Sequence, residues 1–187
     1  MIINDQPACI SLGQSLNNCA IIIPFKDHHK YTIKCLHSIF SSTLSSVLPN
    51  IYLVDNNSES SATLDAIYKA IEEYPDNVKL LSYNKSFNFS AINNFAVNQC
   101  TEDYIFFVNN DIEILTPGLF EAGIQCLEDS EVGAIGFELL YADNTIQHSG
   151  IRINCRNNPF HELLNHMPSN VLPENAIHQT IACTGAL

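Results

Sequence analysis

Two short polar clusters hold the residues best suited to chemistry. Tyr104-Ile105-Phe106-Phe107-Val108 is the strongest apolar run in the chain, and it ends in Asn109-Asn110-Asp111. Side chains two residues apart on an extended chain face the same way. An amide oxygen and a carboxylate so placed suit a hard cation such as Mg2+ or Mn2+. A cation there keeps open positions for diphosphate oxygens and would neutralise charge on a nucleotide leaving group. The competing reading of Asn109-x-Asp111 is a turn cap at a strand end. The second cluster, Asp55-Asn56-Asn57-Ser58, follows Ile51-Tyr52-Leu53-Val54. Asp55 can accept hydrogen bonds from a nucleobase imide or a ribose hydroxyl, or it closes an Asx turn. Asn93 and Asn94, expected on one helix face, can donate and accept toward a nucleotide, or they serve helix capping and the solvated surface.

Several other chemistries are excluded on steric grounds. The chain lacks Gly-x-Gly-x-x-Gly after its first strand, Gly-x-x-x-x-Gly-Lys-Ser/Thr, and Gly-x-Ser-x-Gly. That removes the dinucleotide fingerprint, the P-loop and the hydrolase elbow, each of which needs its glycines for close backbone approach. Asp27-His28-His29 spells a metal-phosphoesterase motif, but the further Asp and His clusters that chemistry needs are missing, so His28 and His29 are expected in a helix's first turn. His148, His161 and His166 are weighed as a third metal ligand or acceptor contact and read instead as solvated or hydrogen-bonded loop histidines.

The elements that must position the clusters follow from periodicity. Ala20-Ile21-Ile22-Ile23-Pro24, Ile51–Val54, Val78–Leu81 and Tyr104–Val108 are short apolar runs, the signature of strands buried on both faces of a parallel sheet. Between them lie helical patterns. Asp27 is expected to cap a helix with Ile33, Leu36 and Phe40 on one face. Leu64, Ile67, Tyr68 and Ile71 mark a second helix, closed by Pro75. A third, capped by Ser90, carries Ile92, Phe95 and Ala96, and Thr116-Pro117 opens a fourth through Leu127. Val132–Leu139 is strand-like, Asp143-Asn144 marks a turn into Thr145–Ile153, and from Arg156 to Gln179 the pattern dissolves. Residues 1–18 read as a poorly structured leader. Strand-helix alternation predicts an α/β fold whose ligands bind at the carboxyl ends of the strands. The polar clusters fall at those ends.

Composition narrows the partners. The 187 residues carry a formal charge of −12 with 46% apolar residues, enough for one globular core. Eight Lys+Arg against twenty Asp+Glu leave no basic stripe for nucleic acid or an anionic membrane surface. No apolar run approaches a transmembrane span, and the N-terminus lacks a cationic signal start. Seven scattered cysteines without Cys-x-x-Cys read as reduced, mostly buried and cytoplasmic.

Taken in order, these segments resemble a known family. Ala20–Pro24, Val54–Ser58, Phe87-Asn88-Phe89-Ser90-Ala91-Ile92-Asn93-Asn94 and Phe107–Asp111 are similar to family 2 glycosyltransferases of the GT-A fold. Val132-Gly133-Ala134-Ile135-Gly136, Ile146-Gln147-His148-Ser149-Gly150 and Thr184-Gly185-Ala186 are similar to its bacterial rhamnosyltransferase-like subgroup. The resemblance covers residues 19–187. It implies a mostly parallel sheet flanked by helices, a nucleotide-sugar donor, Mn2+ or Mg2+, inversion at the anomeric carbon, and a glycan or lipid-linked acceptor in cell-surface polysaccharide synthesis. It implies that Pro24 and Lys26 flank the base, Asp55 recognises it, Asn94 and Asn110 line the donor site, and Asp111 with Asn109 holds the metal. The family's catalytic base follows the Thr-Gly-Ala segment at some distance, beyond Leu187. The expectation is therefore the donor-binding part of a longer enzyme, incomplete on its C-terminal side, or else a non-catalytic nucleotide-sugar-binding module. Any hold on the inner membrane is expected from parts outside this chain.

Overall fold

The computed structural model describes residues 15–154, 156, 158–161, 164–171, 177 and 179–185. It divides into two compact units, one containing Ser11–Gln125 and the other Cys126–Thr184. The sequence shows no linker at that boundary.

The first unit is organised by four parallel strands. β1 (Cys19–Phe25), β2 (Asn50–Asp55), β3 (Val78–Ser82) and β4 (Tyr104–Phe107) lie in the order β3-β2-β1-β4. β1 and β2 are central and almost wholly buried, which is why their apolar runs are continuous rather than alternating. Helices α1 (His29–Ser42), α2 (Ser61–Ile71), α3 (Phe89–Val97) and α4 (Leu119–Leu127) alternate with the strands. α3 packs Ile92 and Ala96 on the face formed by Ala20, Ile22, Tyr52 and Val54. The register pairs Ile21 with Phe106 on the opposite face, where Phe120 of α4 meets Phe106 edge-on at 5.1 Å.

Pro24 shapes the edge of this sheet. Val108 N donates to Ile22 O, whereas Asn56 N donates to Phe25 O, so the backbone groups of even-numbered β1 residues face β4. Pro24 falls on that side with no N–H to give, and β4 stops pairing at Ile22↔Phe107. The carboxyl ends of β1 and β4 are thus free to part where the strand order reverses, the usual place for a ligand crevice.

Four local expectations are corrected. Asp27 does not cap α1; the N-cap is His28, in a left-handed conformation without a side-chain bond. α3 is capped by Asn88 rather than Ser90, its side chain accepting from Ala91 N at 2.9 Å. α4 begins at Leu119 after Gly118 (φ 77), leaving Thr116-Pro117 outside the helix. On α2 the buried residues are Thr63, Ile67 and Ala70, and Tyr68 is 56% exposed.

Residues 1–14 of the expected leader lie outside the described residues. Its last residues are ordered: Leu16–Asn18 forms a 3-10 turn with Leu16 buried, and Asn18 exchanges two hydrogen bonds with Asp103.

A polar network closes the amino edge. Glu102 accepts from Asn50 Nδ2 at 2.6 Å, from Tyr52 Oη at 3.2 Å and from Thr101 N at 2.8 Å. Burial pushes its carboxyl up, but the bonds from Thr101, its own N–H, Asn50 and Tyr52 outweigh that and hold it below the ordinary 4.5. A carboxyl lowered on folding contributes stability above its unfolded value and loses it as pH falls through the folded one. Glu102→Gln should therefore lower the melting temperature at pH 7 and shrink the drop in melting temperature on acidification below about pH 4.5. Parallel melting curves of the two proteins against pH would contradict this.

The second unit contains two small antiparallel pairs. β5 (Leu139–Leu140) pairs with β6 (Ile146–His148), and β7 (Ile151–Ile153) with β8 (Pro159–His161). The strand expected over Val132–Leu139 is not formed; only Leu139 joins a ladder, and residues 132–138 have no regular structure. Gly136 explains part of that apolar run, because a Cβ there would collide with the Cβ of Cys183. Gly133 has open space around it. Thr145–Ile153 is split into β6 and β7 by Ser149-Gly150, where Gly150 has φ 124.

Candidate active site

The carboxyl edge of the four-stranded sheet gathers the polar clusters. Asp55 ends β2 in register with Phe25 of β1 and Ser82 of β3. It is buried to 7% exposure, and its Oδ1 accepts from Ser58 N at 3.0 Å. The Asx turn is therefore real, and among the described residues no donor reaches Oδ2, which is left for another partner. Asn56 is fixed beside it by donating to the carbonyls of Tyr83 and Lys85 at 3.0 and 2.8 Å. Pro24 is half-buried in β1. Lys26 is exposed and pairs with Glu59 at 3.1 Å, a solvated contact worth about 1 kcal/mol at most.

The Asn109-Asn110-Asp111 loop is held from α1, by residues the sequence did not single out. Asn110 Nδ2 donates to Thr32 Oγ1 at 3.1 Å. Cys35 Sγ donates to Asn109 O at 3.6 Å, and Ile114 N donates to Ser38 Oγ at 3.0 Å. Thr32, Cys35 and Ser38 recur every three residues along one stripe of α1, all buried. Small polar residues on the buried face of an otherwise apolar helix were the available signal. Burial first, and then the charge of Asp111, push the Cys35 thiol up to about 12, so it stays a neutral donor.

Asp111 itself is exposed, and among the described residues its carboxylate accepts no hydrogen bond. Ile112 N donates to Asn109 O at 3.3 Å, so Asn110 and Asp111 form a turn and the expected extended Asn109-x-Asp111 pair is not formed. A charged oxygen donor that has no protein partner among the described residues fits a hard divalent cation that retains waters and ligand oxygens. The described residues hold no cluster of three His, Cys, Asp or Glu that would enclose a metal by themselves.

On α3 the two asparagines separate. Adjacent helical residues point about 100° apart. Asn94 is exposed, whereas Asn93 is 5% exposed, donates to Phe89 O at 2.9 Å and leaves its Oδ1 buried without a partner. The expected shared face is thus not formed.

The histidines take structural places. His29 Nδ1 lies 3.3 Å from Thr63 Oγ1. His148 is buried, and its Nε2 accepts from Thr184 N at 3.2 Å. His166 stacks on Tyr141 with centroids 4.8 Å apart. His161 ends β8, and its side chain lies outside the described residues. Among described residues the cysteines are free thiols.

Comparison with known proteins decides the family. Glycosyl transferase family 2 matches residues 20–184. The chain belongs to this family. It is 33% identical over 132 residues to the O-antigen biosynthesis protein RfbC of Myxococcus xanthus, covering 71% of this chain and 10% of that protein. It is likewise 33% identical over 134 residues to the uncharacterized protein y4gI of Sinorhizobium fredii, covering 72% of this chain and 14% of the relative. The chain thus spans only a small part of the length of either relative. Its fold is similar to the mannosyltransferase PcManGT of Pyrobaculum calidifontis, solved in complex with GDP-Man and Mn2+. The TM-score is 0.58 at 17% identity, over 69% of this chain and 38% of that one. The mostly parallel sheet flanked by helices is therefore of the GT-A type expected. No helix among the described residues is long and apolar enough to cross a membrane.

Proposed function

We infer that this family 2 glycosyltransferase domain binds a nucleotide-sugar donor with a divalent cation and passes the sugar, with inversion, to a glycan or lipid-linked acceptor of a cell-surface polysaccharide. The observation that carries the reading is the placement of Asp55 and Asp111. Asp55 ends β2 and Asp111 follows β4, the two neighbours of β1, at one carboxyl edge, and among the described residues each keeps a carboxylate oxygen without a protein partner. Asp55 accepts from the base or ribose, with Pro24 and Lys26 beside it. Asp111 and Asn109 hold Mn2+ or Mg2+, which would offset charge on the departing diphosphate. Asn94 and the Asn110 segment line the donor between them. The Mn2+ and GDP-Man of PcManGT support the cofactor and donor classes, and the name of RfbC supports an O-antigen type of product.

Calorimetric titration with nucleoside diphosphates tests this. One of them should bind about tenfold or more tightly with Mn2+ than in EDTA, since the −12 chain otherwise repels the diphosphate. Equal affinity in both conditions would remove the metal from the reading, and no binding of any nucleoside diphosphate would overturn it.

A further inference from the structure

Asp27 belongs to a motif that the proposed chemistry leaves unused, yet it joins the two loops at the carboxyl ends of β1 and β2. Its Oδ1 accepts from Glu59 N at 3.0 Å and Ser60 N at 3.1 Å. Ser60 is the N-cap of α2 and makes no side-chain cap of its own, so Asp27 satisfies the start of α2 from another loop. In the other direction, Asp27 N donates to Ser58 Oγ at 2.8 Å, and Ser58 N donates to Asp55 Oδ1 at 3.0 Å. Asp27 therefore holds residues 58–60 twice, by its carboxylate on Glu59 N and Ser60 N and by its backbone N–H on Ser58 Oγ, and Ser58 N in turn binds the buried carboxylate of Asp55.

The backbone is strained to achieve this. Asp27, His28 and Asn57 have φ of 49°, 47° and 58°, left-handed conformations that disfavour residues with a Cβ. Two consecutive left-handed residues leave β1 in a sharp turn that aims Asp27 at residues 58–60 instead of at α1. Strain of this kind persists only where surrounding bonds over-determine it, and it collects at binding sites. A helix cap alone would not need it, because Ser60 could cap α2 locally.

We propose that Asp27 is a positioning residue for nucleobase recognition: its carboxylate, on Glu59 N and Ser60 N, holds the loop whose Ser58 N fixes the rotamer of Asp55, so that Oδ2 is presented to the base. The inference rests on the donor-binding reading above and adds how specificity is held. Asp27 acts on the base end of the ligand and leaves the diphosphate end, at Asp111, untouched.

The test separates those two ends. Asp27→Ala and Ser58→Ala are titrated with the tightest nucleoside diphosphate plus Mn2+, and with inorganic pyrophosphate plus Mn2+. Both variants should lose about tenfold for the nucleoside diphosphate, as supporting-shell changes do, while pyrophosphate stays within about twofold. Asp27→Asn keeps an acceptor oxygen and should restore most of the nucleoside diphosphate affinity. Ser58→Ala spares the α2 cap and so remains informative if Asp27→Ala does not fold. Equal losses for both ligands would reduce Asp27 to a fold-holding role and overturn the proposal, as would unchanged nucleoside diphosphate affinity. If the parent binds no nucleoside diphosphate, the donor-binding reading itself fails and this inference falls with it.

Discussion

Asp111→Ala is expected to lose the whole Mn2+-dependent gain in nucleoside diphosphate affinity, about tenfold or more. Changing an outer-shell partner of a metal site already costs about 10–100-fold, and here the charged ligand itself is removed. Stability should hardly change, because Asp111 is exposed and accepts no hydrogen bond among the described residues. Such surface changes stay within about 0.5 kcal/mol. The sign of the effect without metal is the sharper test. In EDTA the Asp111 carboxylate only repels the diphosphate, so the variant should bind as well as the parent or slightly better. An equal loss with and without Mn2+ would show that Asp111 acts on the nucleotide directly and holds no cation. Asp111→Asn should fall between the two, since it retains an oxygen donor but no charge.

Glu121→Ala should lower unfolding stability by about 2–4 kcal/mol, a large share of the roughly 5–15 kcal/mol typical of a domain. Glu121 is only 3% exposed, and its Oε1 accepts from Leu44 N and Ser45 N, both at 2.9 Å. Those two N–H groups begin the loop between α1 and β2, and alanine would leave them without an acceptor. The second oxygen, Oε2, is buried with no partner among the described residues. Glu121→Gln keeps one acceptor and places an amide N–H2 where no acceptor waits, so about 1–2 kcal/mol of loss is expected. Urea unfolding of the three proteins measures the order. If glutamine proves as damaging as alanine, the carboxylate's charge rather than its acceptor geometry holds the loop. If alanine matches the parent, water replaces Glu121 at no cost and the cap is incidental.

The two residues are not equally visible in the sequence. Asp111 follows the most apolar run in the chain, and a strand that ends abruptly in Asn109-Asn110-Asp111 places its polar residues at a sheet edge whatever its neighbours are. Glu121 is an acidic residue in a helix's first turn, where the helix dipole favours any carboxylate. Nothing local distinguishes it from a solvated one, because its partners lie 76 and 77 residues away.

The same divide runs through the site. Asp55 is legible as a strand-end carboxylate: one oxygen closes the Asx turn, and among the described residues the other has no protein partner, which leaves room for the proposed base contact. Asn93 and Asn94 were not separable, since a nine-residue helix with apolar residues on several sides does not declare which asparagine faces inward. Asp27 looked like an ordinary helix cap because Asp before a helical pattern usually is one. Only the left-handed turn after β1 redirects it to α2, 32 and 33 residues onward.

By itself the sequence determined the four strands, the burial of β1 and β2 and the polar residues at the strand ends; β3 and β4, expected to be buried on both faces, are sheet edges and only partly buried. Parallel strands covered on both faces demand unbroken apolar runs, and Pro24 marks where β1 can no longer donate to β4. The tertiary structure decided what each polar side chain does there. It left 132–138 of the expected strand as irregular chain, set the Thr32, Cys35 and Ser38 stripe beneath the candidate metal loop, and tied Asp27 to Asp55 through Ser58. Hydrophobic periodicity is local and survives in any segment read alone. A hydrogen bond between residues tens of positions apart exists only once the sheet has brought their loops to one edge.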